Sequence, residues 1–227
     1  MFSLNEARDN SGLKIMERCL LSACLVALSA SAAAAQEGPK LYGGVTATTN
    51  YVYRGESQSD DRPALQVYLE GEAGMFYGGA WASTVRLGDD RAELDLYAGV
   101  RRSFGDLALD LNYTRYIYDE SGDCCGEIGL SLAHPLGETV EIGAGVFVDP
   151  EESTQWFEAR GSVILLENYM VDATLGADFG SFGYDEDKFA WNAGASRAFA
   201  ELVTLDLRYH DTNLDPARLV GSVSLDF

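Results

Sequence analysis

The sequence predicts an all-β protein, a transmembrane antiparallel up-and-down β-barrel of about twelve strands. Residues 36–227 divide into segments of about 10 to 14 residues in which apolar and polar side chains alternate, the pattern of strands with two different faces. Short turns and longer acidic loops join these segments in alternation, which is typical of membrane barrels. Glycine and tyrosine are frequent, with 24 and 12 copies, whereas proline occurs only 5 times, a composition that suits many strands.

Twelve alternating segments can be assigned, and their lengths suit tilted strands that cross a bilayer. They cover residues 41–54, 64–73, 75–86, 91–104, 107–118, 126–135, 138–148, 154–165, 169–180, 188–199, 202–211 and 217–227. The longer loops fall at 55–63, 119–125, 149–153, 182–187 and 212–216, with a shorter one at 87–90 on the same side. An even strand number places both ends of the barrel beside the short turns, which is the periplasmic side of such barrels.

The parity of each segment assigns its side chains to lipid or to the barrel interior. Within 91–104, Leu94 and Leu96 fall on the lipid face. Glu93 and Asp95 fall on the inward face. The inverse sorting would give a soluble, lipocalin-like barrel, and periodicity alone does not separate the two. Aromatic residues near strand ends are expected to form girdles at the membrane interfaces: Tyr51, Tyr53, Tyr113, Phe179, Phe199 and Tyr209.

The N-terminal region favours the membrane version. Residues 1–35 read as an N-terminal extension plus a secretory signal peptide, because a short charged stretch precedes an apolar run that ends in small residues. Cleavage is expected near Ala35, and the polar residues before Met16 point to Met16 as the start of translation. No later segment has the roughly 18 consecutive apolar residues that a spanning helix needs. A membrane location therefore requires a closed barrel.

The C-terminal segment points in the same direction. Val223, Leu225 and Phe227 share one parity, while Ser222 and Ser224 occupy the other. This strand resembles the C-terminal signal of bacterial outer-membrane barrels, which the assembly machinery recognises. We therefore expect Val223, Leu225 and Phe227 to act as an assembly signal, and the protein to lie in the bacterial outer membrane.

The charge balance is strongly acidic. The chain has 16 basic and 36 acidic residues, a net charge of −20. Residues 1–35 hold three of each sign, so residues 36–227 keep 13 basic and 33 acidic residues. We do not expect the protein to bind nucleic acid, because such binding needs clustered lysine and arginine and this chain is acidic.

Three stretches carry a resemblance to a known family. They are Asn50-Tyr-Val-Tyr-Arg-Gly-Glu-Ser-Gln58, Arg62-Pro-Ala-Leu-Gln66 and Gly74-Met-Phe-Tyr-Gly-Gly-Ala-Trp-Ala-Ser83. They resemble the proteobacterial TorF-like porin family, whose members read Tyr-Val-Phe-Arg-Gly-Ile-Ser-Gln, Pro-Ala-Leu-Gln and Gly-Phe-Tyr-Ala-Gly-Trp. The similarity is specific over about residues 41–118 and architectural afterwards. It implies an outer-membrane barrel with a porin role and supplies no substrate or catalytic residues.

The inward parity is rich in charge, and it defines the predicted pore lining. The residues assigned to it are Arg54, Glu70, Glu93, Asp95, Arg101, Asp110, Glu141, Arg160, Asp172, Asp206 and Arg208. A lumen lined mainly by carboxylates favours cations. The alternative is a plugged barrel in which these charges pair across the interior. Arg54 either forms a constriction or ties the first loop to inward acids such as Glu70.

The adjacent cysteines Cys124 and Cys125 leave three states open. Export to an oxidising compartment permits a disulfide between them, although neighbouring residues form a strained bridge. Free or intermolecular thiols and a clamp for a soft metal are the other readings. Carboxylate pairs in the outer loops could bind Ca²⁺ or Mg²⁺, but their spacing fits no known loop motif, and a solvated acidic surface is the expectation.

The leading function is therefore passive diffusion of small cationic or neutral solutes, with no cofactor and no metal site. The first alternative is a closed structural or surface-interaction barrel that acts through its acidic loops. The second is a lipid-modifying enzyme, since His210 is inward among acids and serines, but no spacing singles out a nucleophile. His134 points towards lipid. Expected partners are outer-membrane lipid, lipopolysaccharide and, during biogenesis, the barrel assembly machinery.

Overall fold

The structure is a computed structural model that describes residues 38–179, 187–199 and 202–227. The predicted signal peptide, the start at Met16 and the cleavage near Ala35 lie outside the described residues. So do residues 180–186, which include most of the predicted loop at 182–187, and residues 200–201, which separate two predicted strands.

Within the described residues the chain forms strands and turns. The strands are β1 (Lys40–Thr48), β2 (Val52–Tyr53), β3 (Glu56–Ser57), β4 (Ala64–Ala73), β5 (Phe76–Leu87), β6 (Asp90–Phe104), β7 (Leu107–Tyr118), β8 (Gly122–Pro135), β9 (Val140–Asp149), β10 (Thr154–Leu166), β11 (Tyr169–Asp178), β12 (Lys188–Phe199), β13 (Val203–Thr212) and β14 (Arg218–Asp226). No helix in the described ranges is long and apolar enough to cross a membrane.

Twelve of these strands close into an antiparallel barrel, and β2 and β3 form a separate small hairpin. The predicted fold class is confirmed. Each barrel strand pairs with its neighbours along the chain, and β14 returns to pair with β1 from Gly44↔Asp226 to Thr48↔Ser222. Because every barrel strand has two partners, no sheet edge leaves its backbone groups without hydrogen bonds, as a lipid environment requires.

The two faces of the barrel are sorted as the parity predicts. Leu96 and Leu207, on the outer face, are 47% and 56% exposed, whereas Glu93 and Arg101, on the inner face, are 4% and 5% exposed. Apolar side chains outside and charged side chains inside oppose the lipocalin-like alternative, whose apolar residues would fill the interior. Phe179, Tyr113 and Tyr209 lie on this outer surface, each at least 39% exposed.

The connections divide between the two ends of the barrel. The end that we call the long-loop end carries residues 49–63, 88–89, 119–121, 150–153 and 213–217, together with residues 179 and 187. The opposite, short-turn end carries residues 74–75, 105–106, 136–139, 167–168 and 202, together with the start of β1 and the end of β14.

The prediction for residues 41–54 is wrong at its second half. The strand ends at Thr48, and the chain turns into the barrel, where β2 and β3 pair. Arg54 and Gly55 have φ angles of 47° and 87°, the left-handed pair that a two-residue hairpin turn requires. As a result Tyr51 and Tyr53 face the interior and do not belong to the predicted aromatic girdle.

The loop predicted at 119–125 is also shorter than expected. β8 begins at Gly122. In its pairing with β7, Tyr116 lies opposite Cys125 and the next residue, Ile117, lies opposite Asp123, so the register skips one residue of β8. Cys124 is therefore the extra residue of a β-bulge, which lets the strand continue past the cysteine pair.

The seam between β1 and β14 has no room for a side chain at Gly44. A Cβ there would lie 2.5 Å from Tyr68 Cε1 and 2.9 Å from the backbone oxygen of Leu225. We expect Gly44→Ala to lower the free energy of unfolding by about 1–3 kcal/mol, because the seam must shift to admit the methyl group. Urea unfolding of the refolded barrel in lipid vesicles measures this change.

Gly71→Ala is the matched control, since a Cβ at Gly71 would meet its nearest atom at 4.0 Å. It should leave the unfolding midpoint close to that of the native chain. Equal destabilisation by the two substitutions would contradict the close approach at the seam.

Candidate functional site

The predicted pore-lining residues converge on the barrel interior. Those on strands are Glu70, Glu93, Asp95, Arg101, Asp110, Glu141, Arg160, Asp172, Asp206 and Arg208, and Arg54 reaches the interior from the first loop. The structure brings most of them into three groups, each centred on one arginine. Glu93 and Asp95 belong to none of the three.

The first group surrounds Arg101 on the wall formed by β4 to β7, towards the short-turn end. Its guanidinium lies 2.6 Å from carboxylate oxygens of both Glu70 and Glu72 and donates to Asp110 at 3.0 Å. The Tyr77 ring lies under the guanidinium, with its centroid 3.5 Å from Cζ, and the Tyr77 hydroxyl donates to Asp110 at 2.7 Å. Three carboxylates share one cation, so this group keeps a net negative charge.

The second group surrounds Arg208 on the wall formed by β11 to β13. Arg208 binds both oxygens of Asp172 at 2.6 and 2.7 Å and also contacts Asp206 at 3.2 Å. Gly194 leaves the space for this side chain, since a Cβ there would lie 2.8 Å from Arg208 Cζ. Glu141 and Arg160 share a small cavity with Asp172 and Arg208. In this group two carboxylates, Asp172 and Asp206, share one arginine, Arg208.

The third group pins the first loop across the barrel. Arg54 donates to both oxygens of Glu127 on β8, at 2.6 and 3.0 Å. Its guanidinium also lies 5.4 and 5.2 Å from the ring centroids of Phe147 and Trp156 on β9 and β10. β1 and β4, which carry the loop, stand opposite this wall in the strand order. A Cβ at Gly55 would lie 2.8 Å from Thr212 Cβ and 2.9 Å from Ala190 Cβ, so the hairpin tip also packs closely against β12 and β13.

The base of the first loop is held by a polar network. Asn50 accepts from the hydroxyls of Ser57 and Ser59 at 2.7 and 2.9 Å and donates to Asp61 at 2.7 Å. Asp61 also accepts a short charge-assisted hydrogen bond from Arg218 at the start of β14. These contacts fix both the entry and the exit of the hairpin at the long-loop end.

A cavity of about 440 Å³ remains between the loop and the barrel wall. Among the residues that the structure describes, its lining includes three arginines, Arg54, Arg101 and Arg208, and six acidic side chains: Asp95, Asp110, Glu127, Glu158, Asp206 and Asp226. The charged part of the surface that a solute would meet is thus acidic. Tyrosine and tryptophan side chains, among them Tyr51, Trp81 and Tyr116, form much of the remainder.

The sequence interpretation missed Glu127 and gave Glu70 as an example of the inward acids to which Arg54 could tie the first loop. Glu70 instead binds Arg101. Glu127 shares the inward parity with Gly129 and Ser131 within the predicted segment 126–135, so the same alternation would have identified it. The pairing itself had no local signal, because 73 residues separate the two partners.

Other candidates fall outside this arrangement. Cys124 and Cys125 are joined by a disulfide at the long-loop end. His210 lines the cavity beside Arg208. Within the described ranges, no serine, threonine or cysteine side chain forms a hydrogen bond with it. Those residues contain no group of three or more histidine, cysteine or carboxylate side chains arranged to hold a metal ion.

Residues 32–226 match the family described as "Bacterial protein of unknown function (Gcw_chp)". The chain belongs to this family. The match spans the whole described barrel, whereas the more specific TorF-like assignment stays a prediction. No curated protein matches the sequence.

The fold of this family member is similar to that of solved outer-membrane channels. The KdgM porin gives a TM-score of 0.65 at 8% identity, covering 82% of this chain and 99% of its own. The NanC porin gives 0.59 at 7% identity, covering 82% and 98%. An outer membrane channel from Pseudomonas putida F1 gives 0.51 at 13% identity, covering 87% and 100%. At these identities the similarity concerns the fold.

The loop base predicts a pH dependence. Hydrogen bonds from Arg218 and then Asn50 hold the pKa of Asp61 below its usual value. The stabilisation is therefore present above the ordinary carboxyl pKa of about 4 and is lost as the pH falls through the lower pKa of the folded state. Hydrogen-exchange protection of residues 50–62, corrected for intrinsic rates, should be constant from neutral pH to about pH 5 and then fall.

Asp61→Asn should lower that protection at neutral pH and remove the acid step. Asp60→Asn is the control, because Asp60 is exposed and pairs loosely with Arg62 at 3.6 Å. An acid step that persists unchanged in Asp61→Asn would show that another group controls the loop.

Proposed function

We propose that this protein is an outer-membrane porin that allows passive diffusion of small solutes and prefers cationic or neutral ones. The observation that carries the proposal is the acidic cavity of about 440 Å³ between the first loop and the wall, where carboxylates outnumber arginines. Such a lining concentrates cations and repels anions, because charges in a narrow lumen with low-dielectric walls are weakly screened.

The location in the outer membrane rests on the apolar outer face and on the barrel's similarity to porins. Outer-membrane lipid and lipopolysaccharide would contact that face, and the barrel assembly machinery would act during biogenesis. The TorF-like resemblance of residues 50–58, 62–66 and 74–83 supports the same role.

Solute preference separates this barrel from one of its structural neighbours. One structure of the KdgM porin is described as a complex with disordered oligogalacturonate, a chain of carboxylate-bearing sugars. The acidic lining of the present cavity disfavours such a polyanion. We therefore expect a different solute class in spite of the shared fold.

A second candidate function is a closed structural or surface-interaction barrel with acidic outer loops. The observation that favours it is the first loop, which crosses the interior and binds the far wall through Arg54 and Glu127. A lipid-modifying enzyme is the weaker alternative, because the structural neighbours are channels. If the protein hydrolysed lipid, His210→Ala would abolish that activity.

Single-channel recording in planar bilayers tests the leading proposal. With a KCl gradient across the bilayer, the reversal potential should have the sign of a channel that passes K⁺ in preference to Cl⁻. The absence of conductance steps would favour the closed barrel. Anion selectivity would contradict the proposed role of the luminal carboxylates.

Arg54→Ala tests whether the first loop forms the constriction. Loss of the ion pair leaves Glu127 without its arginine partner, which we expect to cost about 3 kcal/mol of loop docking and to raise single-channel conductance. Cation selectivity should increase, since a luminal positive charge is removed. Arg62→Ala is the matched control, because it removes an exposed arginine from the same loop. Equal effects of the two variants would contradict the constriction.

A further inference from the structure

Two luminal carboxylates, Glu93 and Asp95, lie outside the three arginine-centred groups. Glu93 is 4% exposed and accepts a hydrogen bond from the Tyr118 hydroxyl at 3.1 Å on one oxygen only. The second oxygen of Glu93 and one oxygen of Asp95 are buried without a hydrogen-bond donor. Neither residue forms an ion pair with any residue of the described ranges.

Aromatic side chains flank Asp95 on both sides. The strand register places Trp81 of β5 and Tyr116 of β7 directly opposite Asp95 on the same face. Side chains in such positions stand about 4.5–5.5 Å apart at Cβ. Tyr51 from the first loop packs edge-on against Trp81, with ring centroids 5.4 Å apart. All four residues line the 440 Å³ cavity, so a solute can reach them.

No positively charged side chain of the described ranges pairs with Asp95, and its charged neighbours are acidic. Asp95 interacts electrostatically with two other carboxylates, Glu93 and Glu127. Glu127 is occupied by Arg54, whose guanidinium points to the β8–β10 wall. A carboxylate that lines the cavity without a cationic partner is costly, so a ligand that brings N–H donors and positive charge would be favoured there.

We propose that Trp81, Asp95 and Tyr116 form a binding site for small alkylammonium ions within the lumen. The ammonium group would donate to Asp95, and the faces of Trp81 and Tyr116 would attract the charge and cover the alkyl chain. This inference rests on the proposed function, because it assigns the site to the solute pathway. A divalent metal ion is disfavoured, since no three metal-binding side chains converge in the described structure.

The test is isothermal titration of the refolded barrel in detergent micelles with n-butylammonium chloride, which requires no conductance. The native protein should bind saturably, and NaCl at equal ionic strength should compete only weakly. Asp95→Asn should weaken binding about tenfold or more, the loss of one charge-assisted hydrogen bond. Trp81→Leu should weaken it about threefold, in proportion to an exposed cation–π contact.

Two controls separate a local site from a general luminal field. Asp89→Asn removes an acid from an exposed turn at the long-loop end and should leave the affinity unchanged. Asp226→Asn removes a cavity carboxylate that lies away from the aromatic set, and its effect should be much smaller than that of Asp95→Asn. Heat-modifiable migration on gels verifies that each variant is folded.

Absence of saturable binding to the native barrel would overturn the proposal. So would equal weakening by Asp95→Asn and Asp226→Asn, or equal competition by NaCl. Bilayer recording distinguishes this failure from failure of the porin proposal. Conductance without butylammonium binding rejects the site alone, whereas binding without conductance supports the site in a barrel that does not conduct.

Discussion

The arrangement of the interior depends on one ion pair, that between Arg54 and Glu127. Its two hydrogen bonds of 2.6 and 3.0 Å join the first loop to the wall opposite the strands that carry it. Both side chains are largely shielded from solvent, so loss of either partner would leave a buried charge. The pair thus holds the first loop inside the barrel, where the loop divides the lumen. The 440 Å³ cavity is the space left between this loop and the wall.

The rest of the interior follows the same electrostatic logic. Two buried arginines collect several carboxylates: Arg101 binds Glu70, Glu72 and Asp110, and Arg208 binds Asp172 and Asp206. This ratio satisfies the guanidinium donors and leaves residual negative charge on the wall. Where no arginine is present, at Asp95, the surroundings are aromatic. The interior therefore combines rigid ionic groups that maintain the barrel's shape with one acidic position that is open to a solute.

Much of the barrel could be predicted from the sequence because its information is local. Alternation along residues 91–104 identifies a strand and both of its faces, and turn residues separate one strand from the next. The same rule failed at residues 50–54, where Tyr51, Val52 and Tyr53 alternate as a strand would. Their fate is decided by the left-handed turn at Arg54 and Gly55 and by contacts with β8–β10 that are distant in sequence.

In the candidate site, too, local alternation predicts one part of the arrangement and contacts distant in sequence decide the other. Inward parity was sufficient to place Glu93, Asp95 and Arg101 inside the barrel, but it contains no information on which charges meet. Arg54 binds Glu127 rather than Glu70 because the hairpin crosses the lumen, a fact of tertiary structure. The bulge at Cys124 extends β8 and sets the register that brings Tyr116 opposite Cys125, and alternation does not encode it.

A double-mutant cycle between Arg54 and Glu127 tests the central claim most directly. The free energy of unfolding would be measured for the native barrel, Arg54→Ala, Glu127→Ala and the double variant, refolded in the same lipid vesicles. The structure predicts a coupling energy of at least about 1.5 kcal/mol, since each single variant leaves a buried charge that the double variant removes. Additive effects of the two substitutions would contradict a first loop held inside the barrel by this pair.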